Sequence, residues 1–154
     1  MAQQGAARAI WRQADALALP FEDRSFDAVV CQFGVMFFPE KVAAYREVVR
    51  VLKPGSRFVF NVWDRIEENE ISHAVTEAMI ALYKDDSLRF LARTPHGYHD
   101  LQTIRRQLAE AGFSSVKAET VPRLSRAQSA REPAIGLCQE RRCGTQSKPA
   151  IRAA

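Results

Sequence analysis

Ser25-Phe26-Asp27-Ala28-Val29-Val30-Cys31-Gln32-Phe33-Gly34, followed by a helical run from Glu40, by Leu52-Lys53-Pro54-Gly55 and by residues 57–63, decides the fold. Apart from Asp27, residues 26–31 form a continuous apolar run, β-branched at Val29 and Val30, as in a parallel strand buried on both faces. From Glu40 the period changes. Val42, Tyr45, Val48, Val49 and Leu52 recur at helical spacing, with Lys41, Arg46, Glu47 and Arg50 on the opposite side. Pro54-Gly55 then predicts the helix stop, because proline cannot continue a helix and glycine tolerates a left-handed exit. Residues 57–63 alternate, with Phe58, Phe60 and Val62 on one face and Val59, Asn61 and Trp63 on the other. Strand, helix and strand with short links imply a right-handed crossover between parallel strands.

Working outward, residues 1–7 read as the end of a helix stopped at Gly5, and residues 9–14 as a short strand. Asp15 opens a loop that runs through Leu19-Pro20-Phe21 into the polar cluster Glu22-Asp23-Arg24-Ser25. Residues 64–95 read as an insertion with its own helix, capped by Asn69 and striped by Ile71, Val75, Met79, Leu82 and Tyr83. That stripe either packs on the body or closes over a pocket as a lid. His96-Gly97-Tyr98-His99-Asp100 leads into another helix, with Asp100 as its cap, Leu101, Ile104 and Leu108 inward and Gly112 as its stop. Residues 115–121 alternate like a strand, and residues 133–138 read as a last short one. Residues 139–154 form a basic tail without periodicity, expected to be disordered and read out of the parental frame.

A chain of 154 residues is long enough for one domain with a real core and short for two. The net charge of +4 is misleading as a whole. From Val121 onward seven basic residues face only Glu132 and Glu140, so residues 121–154 carry +5 and residues 1–120 carry −1. The basic balance belongs to the tail, which argues against a nucleic-acid-binding face on the body. No run is apolar for long enough to span a bilayer, and the N-terminus has no apolar core of a signal peptide, so a cytoplasmic protein is expected. Three cysteines, Cys31, Cys138 and Cys143, make no disulfide framework. Cys31 reads as a small core residue, and no metal site is assigned.

Asp15-Ala16 with Leu19-Pro20-Phe21, Ser25-Phe26-Asp27 opening the strand, Glu47 and Arg50 in the helix, Leu52-Lys53-Pro54-Gly55, and Ala111-Gly112-Phe113 carry a resemblance in their order and spacing. Residues 8–138 resemble the C-terminal two-thirds of a class I S-adenosylmethionine-dependent methyltransferase of the ubiquinone/menaquinone-biosynthesis type. The resemblance implies an α/β fold, a Rossmann-like methyltransferase sheet that is incomplete here. The first two strands and the glycine-rich loop are expected to be missing, since Gly5 is the only glycine before Gly34. Ser56 stands where the family usually has another glycine. Residues 1–138 are then a partial methyltransferase domain, with 64–95 as its insertion.

The same resemblance implies a site. The Asp15 carboxylate would accept from the adenine amino group of S-adenosylmethionine, and the Ala16 backbone N–H would meet the ring nitrogen. Gln32, Phe33 and Gly34 would flank the methionine part. His96, Tyr98 and His99, in the turn after the insertion, are candidates for contact with the methyl acceptor or for a base, with both histidines expected to be exposed. The catalytic residues and the acceptor, a small molecule, are not legible. The expected function is methyl transfer, by a chain inactive alone. The alternative is a non-catalytic remnant or an interaction module that self-associates or takes a partner chain at the open edge of strand 26–31.

Overall fold

The computed structural model describes residues 9–83, 89–124, 126, 128–129 and 131–139. Its centre is the expected unit: strand β1 (Phe26–Gln32), helix α1 (Lys41–Val51) and strand β2 (Leu52–Asn61), with the two strands parallel. Val29 pairs with Phe58, Val30 with Val59, Cys31 with Phe60 and Gln32 with Asn61. The helix does not run to Pro54. It ends at Val51, and Leu52 is already extended, at φ −76° and ψ 138°. Lys53, Pro54 and Gly55 instead form an irregularity inside β2, across which β1 advances from Phe26 to Ala28 while β2 advances from Leu52 to Arg57. Gly55 takes φ +81° there, a value glycine adopts without steric cost.

The sheet is buried on one face only. Val29 and Cys31 are buried and meet α1 and α4 (Leu101–Ala111) through Tyr45, Val48, Ile104 and Leu108. Phe58, Phe60, Tyr45 and Phe113 fill the space between with ring centroids 4.9–5.9 Å apart. On the other face Val30 is 45% exposed and its partner Val59 53% exposed. Burial on both faces, expected from the apolar run, is therefore corrected: no described element covers that side of the two strands.

Helix α4 forms as its sequence dictates. The Asp100 side chain accepts from the N–H groups of Gln102 and Thr103, and Gly112 closes the helix at φ +109°. Ile104 and Leu108 are buried, but Leu101 is 41% exposed and Ala111 takes the third inward place. Helix α2 (Glu70–Tyr83) begins after Asn69, whose carbonyl accepts from the N–H of His73. Its side chain does not cap the helix; Nδ2 donates backward to the carbonyls of Asp64 and Arg65. Ile71, Val75 and Met79 are half-buried, whereas Leu82 and Tyr83 are exposed.

Three expected strands are absent from the described residues. Residues 9–14 make no ladder; Arg12 instead donates to the carbonyl of Pro20 and sits over the Phe21 ring. Residues 115–121 are irregular, because no neighbouring strand offers them a ladder, and Arg105 from α4 satisfies the Val116 carbonyl. Residues 133–138 belong to helix α5 (Arg131–Gln139), since a helix satisfies its own backbone where no strand is at hand. Pro133 falls in its first turn, where a missing N–H costs nothing. The short helix α3 (Phe90–Arg93) precedes the histidine turn. The expected helix end in residues 1–7 and the tail from 140 lie outside the described residues.

One ion pair fixes the loop to this frame. Arg50 donates from Nε and Nη2 to the Glu47 carboxylate, from Nη2 to the Leu19 carbonyl, and from Nη1 to the Phe21 carbonyl and Asp23. Glu47 Oε2 also accepts the Leu19 N–H at 2.8 Å. The Arg24 and Ser25 N–H groups close on the carbonyls of Arg50 and Val51, capping α1. The Arg50 guanidinium, with help from the Leu19 N–H, holds the Glu47 carboxyl below its ordinary value of 4.5, against a smaller opposing effect of burial.

A folded-state pKa that is depressed stabilises the fold above the ordinary carboxylate pKa, and this contribution fades as pH falls through the folded value. Urea denaturation should therefore show Glu47→Ala losing about 1.5–3 kcal/mol at pH 7. The gap between wild type and variant should shrink as pH drops below about 4.

Candidate functional site

In open α/β sheets ligands collect outside the carboxyl ends of the strands. Here β1 ends at Gln32 and β2 at Asn61, paired in register, so the chain leaves the sheet at Phe33 and Val62 side by side. Phe33 takes φ +47°, a left-handed backbone that costs a non-glycine residue about 1 kcal/mol. Two contacts offset it. Asn61 Oδ1 accepts the Phe33 N–H at 2.8 Å, and the Phe33 ring stacks on Trp63 with centroids 4.2 Å apart and planes 14° apart. Gly34 follows, where a Cβ would meet Cys31 Sγ at 2.6 Å, so glycine lets this turn sit tightly on the strand. The Cys31 thiol lies beneath, its pKa pushed up by burial, as suits a packing residue.

The loop before β1 reaches the same end. Asp15, Ala16, Leu17 and Ala18 form a tight turn, with the Ala18 N–H on the Asp15 carbonyl and the Leu17 N–H on Asp15 Oδ1 at 3.0 Å. Asp15 is exposed, while Ala16 is buried in the cluster that holds Cys31, Val35 and Met36. The Glu47–Arg50 pair pins the continuation of this loop from Leu19 to Asp23 by hydrogen bonds, and Ala14 and Leu19, on either side of the Asp15 turn, pack on the cluster of Val29, Val48 and Val51.

The histidine turn closes the group. Trp63, 42% exposed, lies with its ring centroid 6.0 Å from that of His96. His96 is buried rather than exposed, because its Nδ1 bonds the Asp64 carbonyl at 2.8 Å just beyond β2. His99, half-buried, bonds the His96 carbonyl through Nδ1 at 2.7 Å. A carbonyl only accepts, so both rings donate from Nδ1, which leaves Nε2 as the acceptor in the neutral form of each ring. Gly97 makes the turn possible: a Cβ there would stand 2.0 Å from the Arg93 carbonyl oxygen.

Tyr98 points the other way, into the core. Its hydroxyl donates to Gln107 Oε1 and lies 3.0 Å from the hydroxyl of Tyr45, while Lys41 Nζ sits 4.7 Å from its ring centroid. Burial, then the hydrogen bond it donates to the Tyr98 hydroxyl, pushes the Tyr45 phenol far above its ordinary value.

Thus Gln32, Phe33, Gly34 and His96 are gathered around Trp63 and Asn61, with the Asp15–Ala16 turn on the same core cluster. Tyr98 is committed to internal bonds. Asn61 and Trp63 are the residues that sequence reasoning passed over. Their signal was an asparagine, poor in strands, at the end of an otherwise β-prone run, with a tryptophan two residues on. Among the described residues, no group of three or more His, Cys, Asp or Glu side chains is arranged so that it could hold a metal ion. No described helix is long and apolar enough to cross a membrane.

Comparison with known proteins adds three findings. Residues 1–60 match the family model described as a methyltransferase domain. A stretch of 113 residues, 68% of the chain, is 34% identical to the ubiquinone/menaquinone biosynthesis C-methyltransferase UbiE of Pseudomonas aeruginosa, over 44% of that protein. The proteins of the same name from Klebsiella pneumoniae and Pseudomonas putida are 34% and 35% identical over the same length, 45% and 44% of their own chains. The chain thus spans less than half the length of these curated relatives.

Two substitutions probe the turns. Gly97→Ala should lower Tm and blunt the near-ultraviolet circular dichroism of Trp63, since the Arg93 backbone must move. Tyr98→Phe should cost about 1–3 kcal/mol by urea denaturation, because it strands the Gln107 oxygen.

Proposed function

Because the chain belongs to the class I S-adenosylmethionine-dependent methyltransferases of the ubiquinone/menaquinone-biosynthesis type, we propose that it serves a cytoplasmic methyl transfer from S-adenosylmethionine to a small-molecule acceptor, on a Rossmann-like sheet. The relatives are named as C-methyltransferases, which makes a carbon acceptor the reading carried over to this chain. The observation that supports it is the convergence of the Asp15–Ala16 turn, the Gln32–Gly34 turn and the histidine turn at the carboxyl ends of two parallel strands.

In this reading the Asp15 carboxylate accepts from the adenine amino group. Leu17 already bonds one of its oxygens, yet a carboxylate has about four lone-pair sites. The Ala16 N–H meets the ring nitrogen, and Gln32, Phe33 and Gly34 line the methionine part. The residues present fit these parts: an exposed acid in a fixed turn, and a strained turn with a glycine that brings backbone close to a ligand. S-adenosylmethionine supplies an activated methyl group on a sulfonium sulfur, and the transfer depends mainly on alignment in a water-poor pocket. His96 and His99, each with Nδ1 engaged by a carbonyl and Nε2 left over, suit contact with the acceptor's polar groups or, as neutral rings, removal of the proton that a carbon acceptor must lose.

The described residues make one wall of such a site, so the chain alone is proposed to bind the cofactor weakly and to turn over little. A second reading, a non-catalytic module, rests on the edge of β1. Among the described residues that edge has no strand partner, and Val30 beside it is exposed, the condition under which strands recruit another chain.

Thermal denaturation with S-adenosylhomocysteine separates the two. Binding to the folded chain should raise Tm in a dose-dependent way, by about 2–5 °C at tenfold excess over Kd. No rise at millimolar ligand leaves the module reading.

A further inference from the structure

Asn61 stands at the last register position of β2, opposite Gln32, and no motif singled it out. Its two amide ends are in different situations. Oδ1 accepts the Phe33 N–H, which fixes the orientation of the amide, because an N–H needs an acceptor. The residue is exposed, so Nδ2 faces solvent beside the Gln32–Gly34 turn with two N–H groups to donate. Nδ2 belongs to the same planar group that touches Phe33, which places it within reach of whatever lies on that turn.

We infer that Asn61 is a further ligand-binding residue of this chain: Oδ1 holds Phe33 in its left-handed backbone, and Nδ2 donates to the carboxylate at the amino-acid end of the cofactor. This rests on the cofactor reading above, which puts the methionine part against Phe33. An amide suits the task. It carries an acceptor for the protein and a donor for an anion in one rigid group. It also adds no charge that would repel the nearby sulfonium.

Two variants divide the roles. Asn61→Asp keeps an oxygen for the Phe33 N–H but turns the donor into an anion. Asn61→Leu removes both. In a Trp11→Phe background, emission reports Trp63 alone. It should be unchanged in Asn61→Asp and shifted in Asn61→Leu as the Phe33 stack loosens. Isothermal titration then compares S-adenosylhomocysteine with 5′-methylthioadenosine, which lacks the amino-acid carboxylate.

Asn61→Asp should weaken S-adenosylhomocysteine by about tenfold or more, the scale of a lost charge-assisted hydrogen bond, and leave methylthioadenosine within twofold. Equal weakening of both ligands, or no weakening of either, overturns the Nδ2 assignment while the cofactor reading stands. Emission that shifts equally in both variants overturns the Oδ1 role. A wild-type chain that binds neither ligand sinks the cofactor reading and this inference with it.

Discussion

The Glu47–Arg50 pair is the contact on which the arrangement depends. Both residues lie on one face of α1, three positions apart, so the helix presents them together. Between them they bond the backbone of Leu19 and Phe21 and the side chain of Asp23, while the end of α1 takes the N–H groups of Arg24 and Ser25. A loop of this composition has no ladder of its own, and its polar backbone groups need partners. The guanidinium supplies donors in a rigid fork, which a lysine could not do from one geometry. Leu19 buried against Val29 and Val48 adds the apolar half of the same attachment. The result is a turn at Asp15 whose position is set by α1 through hydrogen bonds and by β1 and α1 together through packing.

From that constraint the rest of the site follows in order. With the loop seated, α1 and α4 cover one face of the strands, and Tyr45, Phe58 and Phe60 fill the layer between. The chain can then end its strands in strained or solvent-facing conformations, because the core beneath holds them. Phe33 in the left-handed region is the clearest instance. Its cost is met by a side-chain hydrogen bond from one strand end and a ring stack from just beyond it. Strain of this kind concentrates where backbone is offered to a ligand.

Much of this was legible in the residues. The apolar run at Phe26, the helical period from Val42 and the Asp100 and Gly112 caps lead to the observed elements, since each is a local property of the chain. Three kinds of feature were not legible. Strand length at Leu52 depended on how Pro54-Gly55 is absorbed, and a proline-glycine pair is compatible with either a stop or an irregularity. Residues 115–121 and 133–138 have a strand's alternation, but a strand needs a neighbour, and only the tertiary structure shows that none is beside them among the described residues. His96 reads as an exposed loop histidine until the Asp64 carbonyl is seen within reach of its Nδ1. The Asp15 and Gln32–Gly34 positions came from family resemblance, and the fold brings them to one end of the sheet; Asn61 came from neither.

The central claim is that one preformed wall of a cofactor site stands at the carboxyl ends of β1 and β2. Amide chemical shifts of the ¹⁵N-labelled chain, followed while S-adenosylhomocysteine is added, test it most directly. The account predicts that the largest changes fall on Asp15, Ala16, Leu17, Gln32, Phe33 and Gly34, together with the Asn61 side-chain amide, while α2 and α5 stay unmoved. Changes centred on the open face around Val30 and Val59, or spread without focus over the chain, would contradict it.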